Sequence, residues 1–332
     1  MKRNRMSLQD IASLAGLTKM TVSRYMRDPQ SVSERSRLAI DKVMSQHNYI
    51  PNRLPEILSG AGSKTLGVII PSFRNQIFAD VLEGIQQQAE ASGYQTLIAA
   101  NNYDPQREEE KIRTLLSYHI DGIILTGSQH SHGTLDYLRT SGVPVAELME
   151  ISPAPLDIQV GFDNRSAARE MTSELIKRGK RHISYIGAMD DPRDISRYQG
   201  VVEAMAQHGL QGQHCQPKEI SSLALGRKIF SQLLAEHPHT DAVFCTNDDL
   251  AMGVLLECQE RGISVPTQMA ITGFHGLDIG TANPQRLATI VTPRLEIGRT
   301  ATRLLIDRLS GSEVPNNHSV DLGYTIFRGD TL

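Results

Sequence analysis

The stretch LQDIASLAGLTKMTVSRYMRDPQSVSERSRLAIDKVMSQHNYIPN, residues 8–52, decides how the chain begins to fold. Leu8, Ile11, Ala12 and Ala15 recur at the i, i+3, i+4, i+7 spacing that lines one face of a helix, and Ser7 stands where a hydroxyl can accept from its first free N–H groups. Gly16 ends that helix. Thr18, a second capping residue, opens another over TKMTVSRYM with Val22 turned inward. Ser33 opens a third, in which Ile40, Val43, Met44 and His47 are expected to be buried. Two short helices joined by a tight glycine turn form a helix-turn-helix, whose second helix fits the major groove of DNA.

Charge supports an anionic partner for this head alone. Residues 1–60 carry ten Lys and Arg against five Asp and Glu, whereas the rest of the 332-residue chain carries 24 against 32. A net charge of -3 therefore hides a basic head on an acidic body. The segment NRLPEILSG, residues 52–60, follows as a linker in which Pro51 and Pro55 bracket a single potential helical turn, too short to be stable alone and expected to order on binding.

After Lys64 the chain alternates short apolar runs with helix-length amphipathic stretches. Strands are expected over TLGVII, YQTLIA, DGIILT, VPVAEL, IQVGF, HISYIG, AVFCT, MAITGF and ATIVT, between residues 65 and 292, with LGYTIF as the last. Apolar strands in βα alternation predict parallel sheets covered on both faces, and their number suits two sheets better than one. Ligands of open α/β sheets bind beyond the carboxyl ends of strands, so the informative loops start at Pro71, Glu147, Asp163, Ala188, Thr246 and His275.

Several function classes are disfavoured. The chain has 39% hydrophobic and 21% charged residues, which excludes collagen-like and wholly disordered proteins. No apolar run approaches the roughly 20 residues of a membrane helix, and Ser7, Gln9 and Asp10 interrupt any signal-peptide core, so a cytoplasmic location is expected. Cys215, Cys245 and Cys258 form no CxxC pair and predict neither a disulfide framework nor a cysteine zinc site. GAGSKT, residues 60–65, lacks the Gly-Lys dipeptide of a phosphate loop and precedes a strand. No nucleophile elbow or HExxH zinc motif occurs. His130 and His132 are expected to be exposed loop histidines, and Asp248 and Asp249 the acidic first turn of a helix. No enzyme activity, cofactor or metal is expected.

In order and without gaps, the head resembles the DNA-binding domain of the LacI/GalR bacterial repressors, with TVSR and NYIPN as its most specific motifs. That resemblance implies that Lys19, Met20 and Arg24 face base edges, where Arg and Lys suit guanine and Met a thymine methyl. Ser7, Thr21 and Ser23 would bond phosphate oxygens. Residues 52–63 would be a hinge whose helix enters the minor groove, with Asn52 and Arg53 on the DNA and Leu58 wedged into the central base step.

The resemblance continues through VGFDNRSAARE, AVFCTNDDLAMG and ITGFHGLDIG. It implies a periplasmic-binding-protein-like body of two α/β subdomains, residues 64–159 with 292–320 and residues 160–291 with 321–332, crossed near Gln159, Ile290 and Val320, with a small effector in the cleft. Asn75, Gln76, Phe78, Glu147, Arg197, Ser221, Asn247 and His275 would form the effector site. Ser221 stands where purine-binding relatives place a stacking aromatic. His275 replaces the Asp of neutral-sugar members, which suits an anion beside Arg197. ELM, VGFDN, FCTNDD and GFHG are similar to the gluconate and idonate repressor branch, implying a sugar-acid effector. No leucine heptads follow Leu322, so a homodimer on a palindromic operator is expected.

Overall fold

The computed structural model describes residues 6–52, 62–189, 191–315 and 317–332. It divides into a unit ending at Gly62 and a unit from Ser63 onward. In the first, α1 (Leu8–Ala15), α2 (Lys19–Arg27) and α3 (Glu34–Gln46) each begin at the expected cap. Ser7 and Asp10 cap α1 reciprocally, the Asp10 N–H donating to Ser7 Oγ at 3.3 Å and the Ser7 N–H to the Asp10 carboxylate at 2.8 Å. Gly16 takes a left-handed φ of 67°, which a side chain would resist, and so turns the chain into α2. Ile11, Ala12, Val22, Ile40 and Val43 form the buried core. Each large aliphatic side chain contributes about 1.5–3 kcal/mol by burial. His47 departs from expectation: α3 ends at Gln46, so His47 falls beyond the last turn and is exposed. The expected hinge helix, with Arg53 and Leu58, lies outside the described residues.

The second unit runs β1 (Thr65–Ile70), α4 (Ile77–Ala91), β2 (Gln95–Ala100), α5 (Pro105–Ser117), β3 (Gly122–Thr126), α6 (His132–Ser141), β4 (Val145–Leu148), β5 (Ile158–Gly161), α7 (Asn164–Lys177), β6 (Ile183–Ile186), α8 (Pro192–Ala206), β7 (His214–Cys215) and α9 (Leu223–Glu236). It continues through β8 (Ala242–Cys245), α10 (Asp248–Glu260), β9 (Ala270–His275), α11 (Asp278–Thr281), β10 (Ala288–Val291), α12 (Arg294–Leu309), β11 (His318–Asp321) and β12 (Thr325–Phe327). Two six-stranded sheets result, ordered β11-β5-β4-β3-β1-β2 and β12-β10-β9-β8-β6-β7. All pairings are parallel except β12 against β10.

Three features shape this body. The chain leaves the first sheet after Gly161, past the expected Gln159, because β5 pairs with β11 along its whole length through Gly161 and Asp321. It returns after Val291, through α12, and crosses again after Asp321. Helices α4 and α12 cross closely enough that only glycine fits at the contact: a Cβ at Gly298 would lie 2.2 Å from the Val81 carbonyl oxygen, and one at Gly84 2.1 Å from that of Leu295. No helix among the described residues is long and apolar enough to cross a membrane.

Candidate functional site

On the head, the apolar face of α2 is spent on Val22, which leaves Lys19, Met20 and Arg24 together on the exposed face. Met20 is 72% exposed, so a long apolar side chain stands in solvent beside two cations. Burial of such a residue against a partner is favourable, and a groove with base methyls supplies one. Ser7 Oγ is occupied by Asp10, and Thr21 Oγ1 lies 2.9 Å from Thr18 Oγ1, so both hydroxyls serve caps in the free protein. Ser23 is half-buried and Asn52 is exposed.

The body holds a cleft beyond the carboxyl ends of the strands. Asn75 and Tyr103 reach it from the first sheet's loops, Asp191, Ser221, Thr246 and Asn247 from the second's, and Arg193, Asp194 and Arg197 from α8.

Arg193 and Arg197, four apart on α8, project from one face of that helix. Arg193 is neutralised: its Nε donates to Asp191 Oδ1 at 2.8 Å, and a second guanidinium nitrogen pairs with Oδ2. Burial opposes the charges of both partners, but their mutual attraction wins, holding Asp191 below its ordinary carboxylate range and Arg193 above that of arginine. Among the described residues, Arg193 Nη1 is buried without a hydrogen-bond partner.

Arg197 is 4% exposed and differs in having only neutral acceptors. Its Nε donates to Asn164 Oδ1 at 2.8 Å, Nη1 to the Thr246 carbonyl at 2.8 Å and Thr246 Oγ1 at 3.2 Å, and Nη2 to His275 Nε2 at 3.1 Å. Its Cζ stands 4.0 Å from the Phe274 ring centroid. A guanidinium carries five N–H donors, so one at Nη2 is left over. Burial pulls the Arg197 pKa down, as for a cation desolvated without an adjacent carboxylate.

His275 is fully buried behind Arg197 and is not part of the cleft lining. Because arginine only donates, Nε2 must accept, leaving the proton on Nδ1 to donate to Thr292 Oγ1 at 3.1 Å. Burial, then the charges of Arg197, Arg294 and Arg193, push its pKa well below the ordinary histidine value. The expected cationic contact is thus a neutral imidazole that orients Arg197. Its backbone φ of 98° turns the chain at the end of β9, and its carbonyl accepts from Arg294, which also donates to Asp80 on α4 at 2.6 and 2.9 Å.

The other expected cleft residues divide. Asn75 lines the cleft, as do Ser221 and Asn247, whose Nδ2 donates to Ser221 Oγ at 3.0 Å. Gln76 is exposed outside the lining. Phe78 is 1% exposed in the core, its ring lying under Arg193. Glu147 faces away: Ala146 and Leu148 turn to the core packed on α4 and α12, and strand alternation sends Glu147 to the opposite face, where it meets His130. His130 is consequently buried, not an exposed loop histidine. Asp248 and Asp249 open α10 as expected. Asp248 is buried, accepting from Thr289 Oγ1 at 2.6 Å and the Leu277 N–H at 2.5 Å, and desolvation lifts its pKa to about 7. Tyr103, Asp191, Arg193 and Asp194 were not anticipated, and Thr246 was expected only as the start of a loop. The helical spacing from Arg197 was the available signal for Arg193.

A three-helix head of this geometry joined to two crossed α/β halves around a cleft defines the class of effector-controlled, DNA-binding transcriptional regulators. The chain belongs to the LacI family: residues 7–52 match the model of bacterial regulatory proteins of the lacI family, and residues 63–325 that of periplasmic binding proteins and the sugar binding domain of the LacI family. It is 49% identical to the HTH-type transcriptional regulator IdnR and 45% identical to GntR, both of Escherichia coli K12 and both aligned over 100% of each chain. Among solved structures it resembles a LacI family transcriptional regulator from Silicibacter pomeroyi, with a TM-score of 0.92, 32% identity, and coverage of 98% and 99% of the two chains. Membership makes it a regulator and not an enzyme.

Proposed function

We propose that the protein binds a palindromic operator as a homodimer and that a sugar-acid monocarboxylate, of the gluconate or idonate type, sets its DNA affinity from the cleft. The observation that carries the effector class is Arg197, a buried guanidinium with no carboxylate at ion-pair distance among the described residues. A buried charge with no directly paired carboxylate is costly even with Asp191 and Asp194 nearby, and a ligand carboxylate would relieve that cost through a charge-assisted contact. Nη1 of Arg193, buried without a partner among the described residues, offers a second donor to the same anion. Asn75, Ser221 and Asn247 supply amide and hydroxyl groups suited to sugar hydroxyls.

On the DNA side, Arg24 and Lys19 would donate to guanine edges, Met20 would cover a thymine methyl, and Ser7, Thr21, Ser23 and Asn52 would lie toward the phosphates. Arg53 and Leu58 would act in the minor groove. Two-fold protein symmetry matches two half-sites about one helical turn apart. A thermal-shift panel of aldonates, keto-aldonates, their phosphates and neutral sugars tests the ligand class by mass action. Stabilisation by aldonates but not by neutral sugars is expected. Equal stabilisation by glucose would remove the case for an anionic effector.

A further inference from the structure

Three ionisable side chains are buried together in the half of the body built on the first sheet, off the cleft lining. The side chain of His130, between β3 and α6, is 2% exposed, that of Glu108 on α5 is 6% and that of Glu147 on β4 is 1%. His130 Nδ1 lies 2.6 Å from Glu108 Oε1, and Nε2 lies 3.4 Å from Glu147 Oε1. Two carboxylates so placed repel each other and are poorly solvated, and an imidazolium between them offsets both penalties. Although burial works against the charged imidazole, its hydrogen bond to Glu108 and the facing carboxylate of Glu147 raise its pKa to about 9. The outer oxygens are also used: Glu147 Oε2 accepts from the Leu156 N–H at 2.7 Å, and Glu108 Oε2 from Asn101 Nδ2 at 3.2 Å.

Asn101 leads from this cluster to the cleft. Its Oδ1 accepts from the Tyr103 N–H at 3.0 Å, and the Tyr103 hydroxyl accepts from Asn75 Nδ2 at 3.2 Å. Tyr103 and Asn75 both line the cleft. The loop needs such support, because Asn102 and Tyr103 take consecutive left-handed φ values of 54° and 62°. Non-glycine residues hold that conformation only where their surroundings impose it.

We propose that His130 is a positioning residue of the effector site: clamped between Glu108 and Glu147, it fixes Glu108 so that Asn101 holds Tyr103, and with it Asn75, against the cleft. It touches no ligand itself. The proposal rests on the cleft being the effector site, so its test includes a readout that needs no effector.

In the full-length, ligand-free protein, His130→Gln is expected to speed hydrogen exchange at residues 101–104. D-gluconate is expected to bind about tenfold more weakly, the loss associated with one organising hydrogen bond, with operator affinity unchanged. Asn101→Ala leaves the ionic cluster in place and cuts only its link to Tyr103. It should reproduce both effects, and the double variant should lose no more than either single one. If His130→Gln does not fold, Asn101→Ala alone decides. Unchanged loop exchange in Asn101→Ala overturns the proposal, as do additive losses or a matching loss of operator binding, the signs of a merely structural cluster. Faster exchange in a protein whose wild type does not bind D-gluconate would sink the sugar-acid assignment and leave the positioning role standing.

Discussion

Replacing Arg197 with alanine isolates the contribution of the cleft's unneutralised charge. In the wild type, its Nε and Nη1 are committed to Asn164 and Thr246, and one Nη2 proton to His275, so one N–H and the net charge remain for a ligand. A hydrogen bond to an ionised carboxylate is worth about 1.5–3 kcal/mol, so the substitution should weaken D-gluconate by roughly 10- to 150-fold. Asn164 Oδ1, the Thr246 carbonyl and His275 Nε2 lose a donor, at about 1–3 kcal/mol each if they stay dry. The cleft admits water, and removal of a buried charge offsets part of that cost. Titration calorimetry gives the affinity, and a thermal melt reports any loss of stability. Arg197→Lys should recover only part of the binding, since an ammonium keeps the charge but cannot reach four acceptors in a plane. An Arg197→Ala protein that binds D-gluconate with wild-type affinity would refute the assignment of the anion to this residue.

Arg24→Ala should cost about 1–3 kcal/mol on the operator and relax preference at one base per half-site; an equal loss on random DNA in a mobility-shift assay would make Arg24 a phosphate contact. His275 has a folded pKa depressed below its unfolded value near 6.5, so its contribution is complete above that pH and is lost as pH falls, by up to about 1.4 kcal/mol per unit. Denaturant melts at pH 7 and 5 should therefore separate less in His275→Asn than in the wild type, and an identical separation would mean that the imidazole is not held neutral. Gly298→Ala should lower stability by about 1–3 kcal/mol in a thermal melt, because the added methyl meets the Val81 carbonyl across the α4–α12 contact; an unchanged melting temperature would mean that the helices separate freely.

The head was readable because its determinants are local: Ser7, Thr18 and Ser33 each lie within three residues of the N–H they cap. The central strands were readable as apolar runs, since both faces of each sheet are covered. Two of the edge strands, β11 and β7, were not. His318–Asp321 alternates half-buried with exposed residues, and His214–Cys215 is too short to leave a pattern. In the cleft, Asn75, Arg197, Ser221 and Asn247 come together as the family resemblance implied. Glu147 and His275 show its limit, because a position in a motif does not tell which side chain faces the ligand and which stands behind it. The partners of His130 are 22 residues before it and 17 after, a pairing that only the folded sheet creates.

Fluorescence anisotropy of labelled operator titrated with the full-length protein, in D-gluconate and then in D-glucose at the same concentration, tests the central claim most directly. An effector that couples to DNA binding changes affinity by about 5- to 150-fold. A shift within that range in D-gluconate, with none in D-glucose, is the predicted result. An equal shift with the neutral sugar would contradict an anionic effector held by Arg197, and no shift with any sugar acid would contradict control of DNA binding from this cleft by that class of ligand.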